Sequence, residues 1–320
     1  MKKMTKNITI IASGMIVIGI ILAVIGYSLG AKLMITNVGD GFHVWSSEDR
    51  KTETIPLSAF TSIDVNLLDA DLEIIPANEY KLKIDRHKDQ EITYKVDNNK
   101  LIIEGKKQKK RQIFSLDFGF VNSLQTKVEI YVPKGESFSD INVVNNFGDT
   151  YIEDIISEKL MIHMTDGDLS MTDIQANELK MINQFGDITG NNMKAKNLDI
   201  EMTDGDGIFK MIEVDSVVLN NDFGNTEFEH LTSQGLNIKS IDGDLEIDGL
   251  LLGHSIIDSS FGDVDIELLN KESELSYDIR NQFGDITIND NEFGNKAVQN
   301  NSTKHKLEIT AKDGDIDIKF

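Results

Sequence analysis

The sequence has no cysteine, only three prolines and a single tryptophan, Trp45, in 320 residues. Without cysteine there is no disulfide framework, no thiolate chemistry, no Cys-based metal site and no lipid-modified cysteine. Positive charge is scarce as well: 32 Lys and Arg stand against 54 Asp and Glu, a net charge of −22. The imbalance is concentrated at residues 138–320, which carry 37 acids against 13 Lys and Arg. Such a surface repels nucleic acid, whose binding relies on basic side chains displacing counterions from phosphates, so no nucleic-acid partner is expected. Disorder is the usual alternative for an acidic chain, but it needs low hydrophobicity. Here 40% of residues are hydrophobic, and they recur regularly. The chain reads as folded, with room for about two domains.

One long apolar run is present. Residues 8–29, ITIIASGMIVIGIILAVIGYSL, carry no charge, and at about 1.5 Å per residue they would span the roughly 30 Å hydrocarbon core. Lys2, Lys3 and Lys6 precede the run and only Lys32 follows closely. That asymmetry predicts a cytoplasmic N-terminus with the rest of the chain outside. The alternative is a cleaved signal peptide with its site before Ala31, although a cleavable apolar core is normally about 7–15 residues. Gly26 and Gly30 form a GxxxG pair able to pack two helices; such pairs are also common in simple anchors.

The dominant feature is a repeat. Tripeptides of the form Phe/Asp-Gly-Asp/Asn are centred on Gly148, Gly167, Gly186, Gly205, Gly224, Gly243 and Gly262, in equal steps of nineteen. Two more follow at Gly284 and Gly314, the second after the polar insertion NDNEFGNKAVQNNSTK. A fixed period of about 20 residues points to a solenoid. Apolar residues hold constant offsets from the glycine: Leu160, Leu179 and Leu198 seven before it, Ile162, Met181 and Ile200 five before it. After it come Leu169 and Ile188 at two, Met171 and Phe209 at four, Ile174 and Met193 at seven. This alternation is the pattern of half-buried strands, and its phase slips across Gly-Asp as at a corner with left-handed glycine. The expected fold is therefore all-β, a parallel β-solenoid of roughly 19-residue coils behind a single N-terminal transmembrane helix. The expected divisions are 1–32 as tail and anchor, 33–54 as lead-in or stalk, 55–137 as an irregular capping β region and 138–320 as the solenoid.

The residue before the glycine alternates: Phe147, Asp166, Phe185, Asp204, Phe223, Asp242, Phe261. Two positions earlier stand Asn145, Met164, Asn183, Met202, Asn221, Ser240 and Ser259. Strand parity predicts that both columns face inward in interleaved layers. Upstream, Leu68-Asp69-Ala70-Asp71-Leu72 resembles a degenerate corner with Ala in place of Gly.

The anchor, the lead-in FTSIDVNLLDADLEI, the strand VEIYVPKG and the FGD/DGD corners together resemble a bacterial family of β-strand-repeat "putative adhesins" that includes LiaG-like proteins. The resemblance covers roughly residues 55–320. It implies a cell-surface location in a Gram-positive bacterium and, for some members, an envelope-stress locus. It implies no catalytic or binding residues. The irregular spacing after Gly262 departs from a uniform repeat.

Three chemistries are conceivable for these side chains. Asp149, Asp168, Asp187, Asp206, Asp244 and Asp263 stack one per coil and are the candidates for a Ca²⁺ site, since hard cations take carboxylate oxygens; the plainer reading is turn-forming, solvated Asp. Glycan cleavage by paired carboxylates lacks a distinct cluster, because the acids recur in every coil. The six histidines, 43, 87, 163, 230, 254 and 305, show no metal-ligand spacing. No catalytic residue and no cofactor is expected. The basic run Lys106-Lys107-Gln108-Lys109-Lys110-Arg111 could touch anionic lipids or wall polymers or be a solvated loop. The function expected is a non-catalytic surface module that binds an unidentified ligand. The alternatives are an accessory membrane protein of an envelope-stress system and, least, a polysaccharide-active β-helix enzyme.

Overall fold

The computed structural model describes residues 2–28, 34–37, 42–45, 50–88, 90–106, 114–117 and 125–320, with side chains described at 12–26, 28, 50–88, 90–106 and 125–320. The chain divides into two compact units. One comprises Met1–Lys51, Arg86–Asp89 and Gln108–Leu124. It holds the helix Lys2–Ser28 and a small antiparallel sheet in which Met34–Asn37 pairs with both Phe42–Trp45 and Phe114–Asp117. Strands thus occur within the stretch read as a stalk. Among the described residues no helix is long and apolar enough to cross a membrane; the run at 8–29 lies partly outside the residues whose side chains are described.

The second unit, Thr52–Asp85, Gln90–Lys107 and Gln125–Phe320, is the solenoid. Strands Thr150–Asp166, Leu169–Phe185, Ile188–Asp204, Gly207–Phe223, Thr226–Asp242 and Leu245–Phe261 pair in parallel. Their register joins equivalent residues of successive repeats, as Leu179 to Leu198, except at Leu231–Ser233, which pair one residue short with Gly249–Leu251. The three prolines, Pro56, Pro76 and Pro133, all precede this block, so every residue in it keeps an N–H for the ladder.

Each coil turns three corners. In the coil of Gly167 the inward side chains are Leu169 and Met171, then Ile174 and Ala176, then Leu179, Met181 and Asn183. Inward residues on one strand are separated by even numbers. The gaps of three between Met171 and Ile174, and between Ala176 and Leu179, therefore mark two bends besides the glycine corner. The first is occupied by Asp154, Asp173, Asn192, Met211 and His230, all left-handed with φ of 52–59°. Asp and Asn tolerate that region; Met211 adopts it at a steric cost.

The glycine corner is stricter. From Gly148 to Gly314 the nine corner glycines have φ of 114–144°, which L side chains rarely adopt. A Cβ on any of them would lie 2.1–2.4 Å from the carbonyl oxygen of the corner stacked beneath. Ala70 takes the glycine's place in the first such rung: its N–H donates to the Phe147 carbonyl, as Gly148 does to Asp166. It has no positive φ.

Inside, the columns pack as aliphatic rows, with Phe209 stacked on Phe228 at 5.0 Å. Buried Thr150, Thr226, Ser157, Ser233 and Ser255 interrupt these rows, and the inward position three residues before the glycine is polar in most coils. The Asn145 side-chain amide donates to the Ala70 and Gly148 carbonyls, and Asn183 to those of Gly167 and Gly186. Each of these two amides satisfies two corner carbonyls on adjacent coils, whereas Asn221 donates to the Gly224 carbonyl and the Thr226 hydroxyl; Met164 and Met202 fill the coils between. The amide oxygens of Asn145, Asn183 and Asn221 have no partner, a desolvation cost the corner tolerates.

The ends break sequence order. Lys306–Asp313 lies between Leu245–Phe261 and Ser276–Phe283, parallel to both, and Ile316–Lys319 likewise separates Val264–Leu268 from Ile286–Ile288. At the other end Ser62–Leu67 lies between Lys100–Gly105 and Asp140–Phe147. Outermost strands are antiparallel: Ile92–Asp97 on Lys100–Gly105, and Lys296–Gln299 on Ser276–Phe283. They cover the open ladder edges that would otherwise recruit another chain.

Candidate functional site

The glycine corner is also where the surface is least explained by folding. The residue before each glycine points outward, contrary to the inward position expected from strand parity. Phe147, Phe185, Phe223 and Phe261 are 47–52% exposed and Phe283 63%, while Asn145, Asn183 and Asn221, two positions earlier, are buried. The inward alternation ends at the third residue before the glycine whether that residue is Asn, Met or Ser: Met164, Met202, Ser240 and Ser259 are buried like the asparagines, and the residue before the glycine is exposed in those coils too.

Cross-coil pairing sets these residues in one column. Phe147 pairs with Asp166, Asp166 with Phe185, Phe185 with Asp204, Asp204 with Phe223, Phe223 with Asp242 and Asp242 with Phe261. The column then runs from Phe261 to Asp313 and from Asp313 to Phe283. Asp69, before Ala70, is the rung beneath Phe147. Phe and Asp therefore alternate over ten rungs in space, although in sequence Phe283 precedes Asp313. Sequence spacing ended the alternation at Phe261, because nothing local announces that residues 306–319 are interposed.

Beside this column, on the other side of the glycines, runs the second carboxylate row. Asp149 Oδ1 accepts the Asp168 N–H at 3.0 Å, Asp168 that of Asp187 at 2.9 Å, and Asp187 that of Asp206 at 2.8 Å. Asp206, Asn225, Asp244 and Asp263 continue it to Asp315 and Asp285; at the start Asp71 accepts from Asp149. Each Ca²⁺ candidate thus spends one oxygen on the next coil's backbone. Among the described residues no three His, Asp or Glu side chains converge as a metal site would require. Crowding perturbs the acids nearby. Asp265 is pushed above the usual carboxylate range by partial burial and then by the charges of Asp317, Asp263, Glu246 and Asp244.

A different corner carries an open groove of about 420 Å³. Its floor is small, Ser157, Ala176 and Ala195, and polar side chains such as Gln175, Asn177 and Lys194 rim it. Lys194 is already engaged with Glu213 at 2.7 Å. Of the basic run, Lys106 is paired with Glu91 at 2.6 Å, and residues 107–111 lie outside the described residues. His230 contacts Asp248, and His254 contacts Glu308, with which Lys306 also pairs.

Comparison with known proteins agrees with this geometry. Residues 60–319 match the model of the Toastrack DUF4097 domain. A "putative lipid binding protein" from Parabacteroides distasonis has a similar fold: 12% identity, 85% of this chain and 97% of that one covered, TM-score 0.51. A "putative adhesin" from Parabacteroides merdae aligns over 85% and 97% at 10% identity with TM-score 0.45. Another from Bacteroides fragilis aligns over the same shares at 14% identity with TM-score 0.39. No curated protein matches the chain.

Proposed function

The chain belongs to the Toastrack DUF4097 family, and on that premise we propose that it is a non-catalytic interaction module of the bacterial envelope whose recognition surface is the Phe/Asp ridge. The observation that carries this reading is the exposure of five phenylalanines in one column. A stable coil has no need of them there: the same position is Asp on alternate coils, with the same backbone pairing. An aligned row of exposed aromatics is the kind of surface that marks an interaction site. The corner acids support a non-catalytic reading: they recur coil after coil rather than forming one distinct cluster, and those of the second row from Asp149 to Asp263 each give an oxygen to a backbone N–H of the next coil.

Membrane attachment belongs to the same proposal. The uncharged run at 8–29 and the lysines before it support an anchored chain with the solenoid outside the cell. An accessory role beside an envelope-stress sensor, the other reading of the family resemblance, finds no feature of its own among the described residues.

The test is the pair Phe185→Ala and Phe223→Ala in the full chain displayed on cells. Because both rings are half exposed, stability should fall by only about 1 kcal/mol per site, well short of the roughly 3–5 kcal/mol of a fully buried Phe, while attachment of cells to their natural surface or partner should fall. Attachment equal to that of the unmodified chain would remove the ridge as the recognition surface. A large loss of stability would return the phenylalanines to a structural role.

A further inference from the structure

The ridge has a ligand chemistry of its own, which rests on the reading above that the ridge recognises something. Each phenylalanine is flanked along the column by carboxylates one coil away: Phe185 by Asp166 and Asp204, Phe223 by Asp204 and Asp242, Phe261 by Asp242 and Asp313. The neighbouring row, one glycine away, is Asp149, Asp168, Asp187, Asp206, Asn225, Asp244 and Asp263. Neither row contains a Lys or Arg. An aromatic face ringed by carboxylates attracts ammonium and guanidinium groups through both the ring quadrupole and direct charge. It repels anionic polymers.

The spacing narrows the class further. Coils stack at about 4.8 Å, so successive phenylalanines stand about 9.6 Å apart. Same-face residues of an extended strand recur at about 6.7 Å, which does not match. An α-helix offers about 9.0 Å at six residues, well out of line, or about 10.5 Å at seven, where side chains drift only about 20° but the length mismatch reaches about 3.6 Å over four intervals. A polyproline II helix has three residues per turn and rises about 3.1 Å per residue, so every third side chain lies on one edge at about 9.3 Å. Over the four intervals from Phe147 to Phe283 that mismatch accumulates to only about 1.2 Å.

We propose that the Phe/Asp ridge binds an extended, proline-rich polypeptide in polyproline II conformation that carries Arg or Lys at every third position, one cation per phenylalanine. The alternation supports a role for the assembled surface. Sequence order would place Phe283 directly after Phe261, and only because the interposed strand carries Asp313 does the Phe–Asp period continue to the end of the stack. The polyproline backbone brings a stiffness that lowers the entropy lost on docking, the same advantage used by other aromatic surfaces that take proline-rich segments.

The experiment is calorimetric titration of the full chain in nanodiscs with synthetic peptides of six triplets. The probe is (Pro-Pro-Arg)₆; its comparators are a composition-matched peptide with the arginines clustered, (Pro-Pro-Glu)₆ and a neutral chito-oligosaccharide. The periodic peptide should bind at least about ten-fold more tightly than the clustered one, weaken as salt is raised, and lose about ten-fold or more with the Phe185→Ala/Phe223→Ala pair. Asp204→Asn with Asp242→Asn, which keeps shape and removes charge, should weaken binding and flatten the salt dependence. Equal affinity for the periodic and clustered peptides reduces the contact to general electrostatics and overturns the proposal. So does binding insensitive to the phenylalanine pair. Binding of the oligosaccharide but not the peptide, lost in the same pair, overturns the peptide ligand and leaves the ridge standing. If no probe binds while the variant cells still lose attachment, the ligand class is wrong and the recognition surface is right. If attachment is also unchanged, both fall.

Discussion

The middle of the solenoid and its two ends are built from the same rung but obey different rules. Between Gly148 and Gly262 each coil adds directly to the one before, in a register of one repeat that slips only between Phe228 and Gly235, where Leu231 pairs with Gly249. At both ends a coil is inserted between two that are not its sequence neighbours, and antiparallel strands close the stack. The middle shows what a repeat achieves by stacking alone: each corner is satisfied by its neighbours above and below. The ends show what stacking leaves unsolved, because a terminal rung has an unpaired edge. The contrast also separates two demands on glycine. In the middle both the φ and the abutting carbonyl require it, whereas Gly294, with φ of 62°, has open space where a Cβ would go.

The widest test of that contrast is Gly186→Val against Gly294→Val. Gly186 combines φ of 121° with a carbonyl 2.3 Å from the would-be Cβ, so its replacement should cost more than about 4 kcal/mol in denaturant unfolding. Gly294→Val should cost about 1–2 kcal/mol, the backbone strain alone. Similar losses at the two sites would mean that the stacked carbonyl contributes nothing.

A smaller difference is expected inside the corner. Asn183→Ala strands two buried carbonyls, those of Gly167 and Gly186, and should cost about 1–3 kcal/mol. Asn281→Ala at the C-terminal end frees the Gly314 carbonyl and should cost less. The reverse order would show that the amides do not bridge coils.

The smallest effect concerns pH, and it separates the crowded acids near the C-terminal end from those of the regular middle. The folded-state pKa of Asp265 is raised by partial burial and by neighbouring carboxylates. The folded form therefore binds its proton more readily than the unfolded chain, and this residue's contribution becomes more favourable as pH falls from neutrality toward the ordinary Asp range. Asp265→Asn should raise the melting temperature slightly at pH 7 and leave a smaller gain on acidification. A lower melting temperature at pH 7 would show that the charge is stabilising.

The even spacing of the corner glycines makes the coils legible in the sequence, because glycine at a constant offset from Leu, Ile and Met columns fits few folds besides a stack of identical rungs. Ala70 as a corner is legible too, from its flanking Asp69 and Asp71. The outward Phe column is not. Parity carried past Asn183 puts Phe185 inside, and parity cannot tell where a corner begins. The other two bends leave a trace in the odd spacing between Met171, Ile174, Ala176 and Leu179. The interposed coils leave almost none. A parallel register does not record which rung lies above it, and the longer intervals before Gly284 and Gly314 signal irregularity without its direction.

The strand Lys306–Asp313 lies between Leu245–Phe261 and Ser276–Phe283, and this makes assembly of the stack differ from its synthesis. A chain emerging from its N-terminal side can zip each middle coil onto the last as soon as it appears. Residues 276–288 cannot take their place that way, since the rung they rest on is translated only after them. They can close the stack only together with that rung or after it, so a chain without residues 306–319 would leave the edge of His254–Phe261 open.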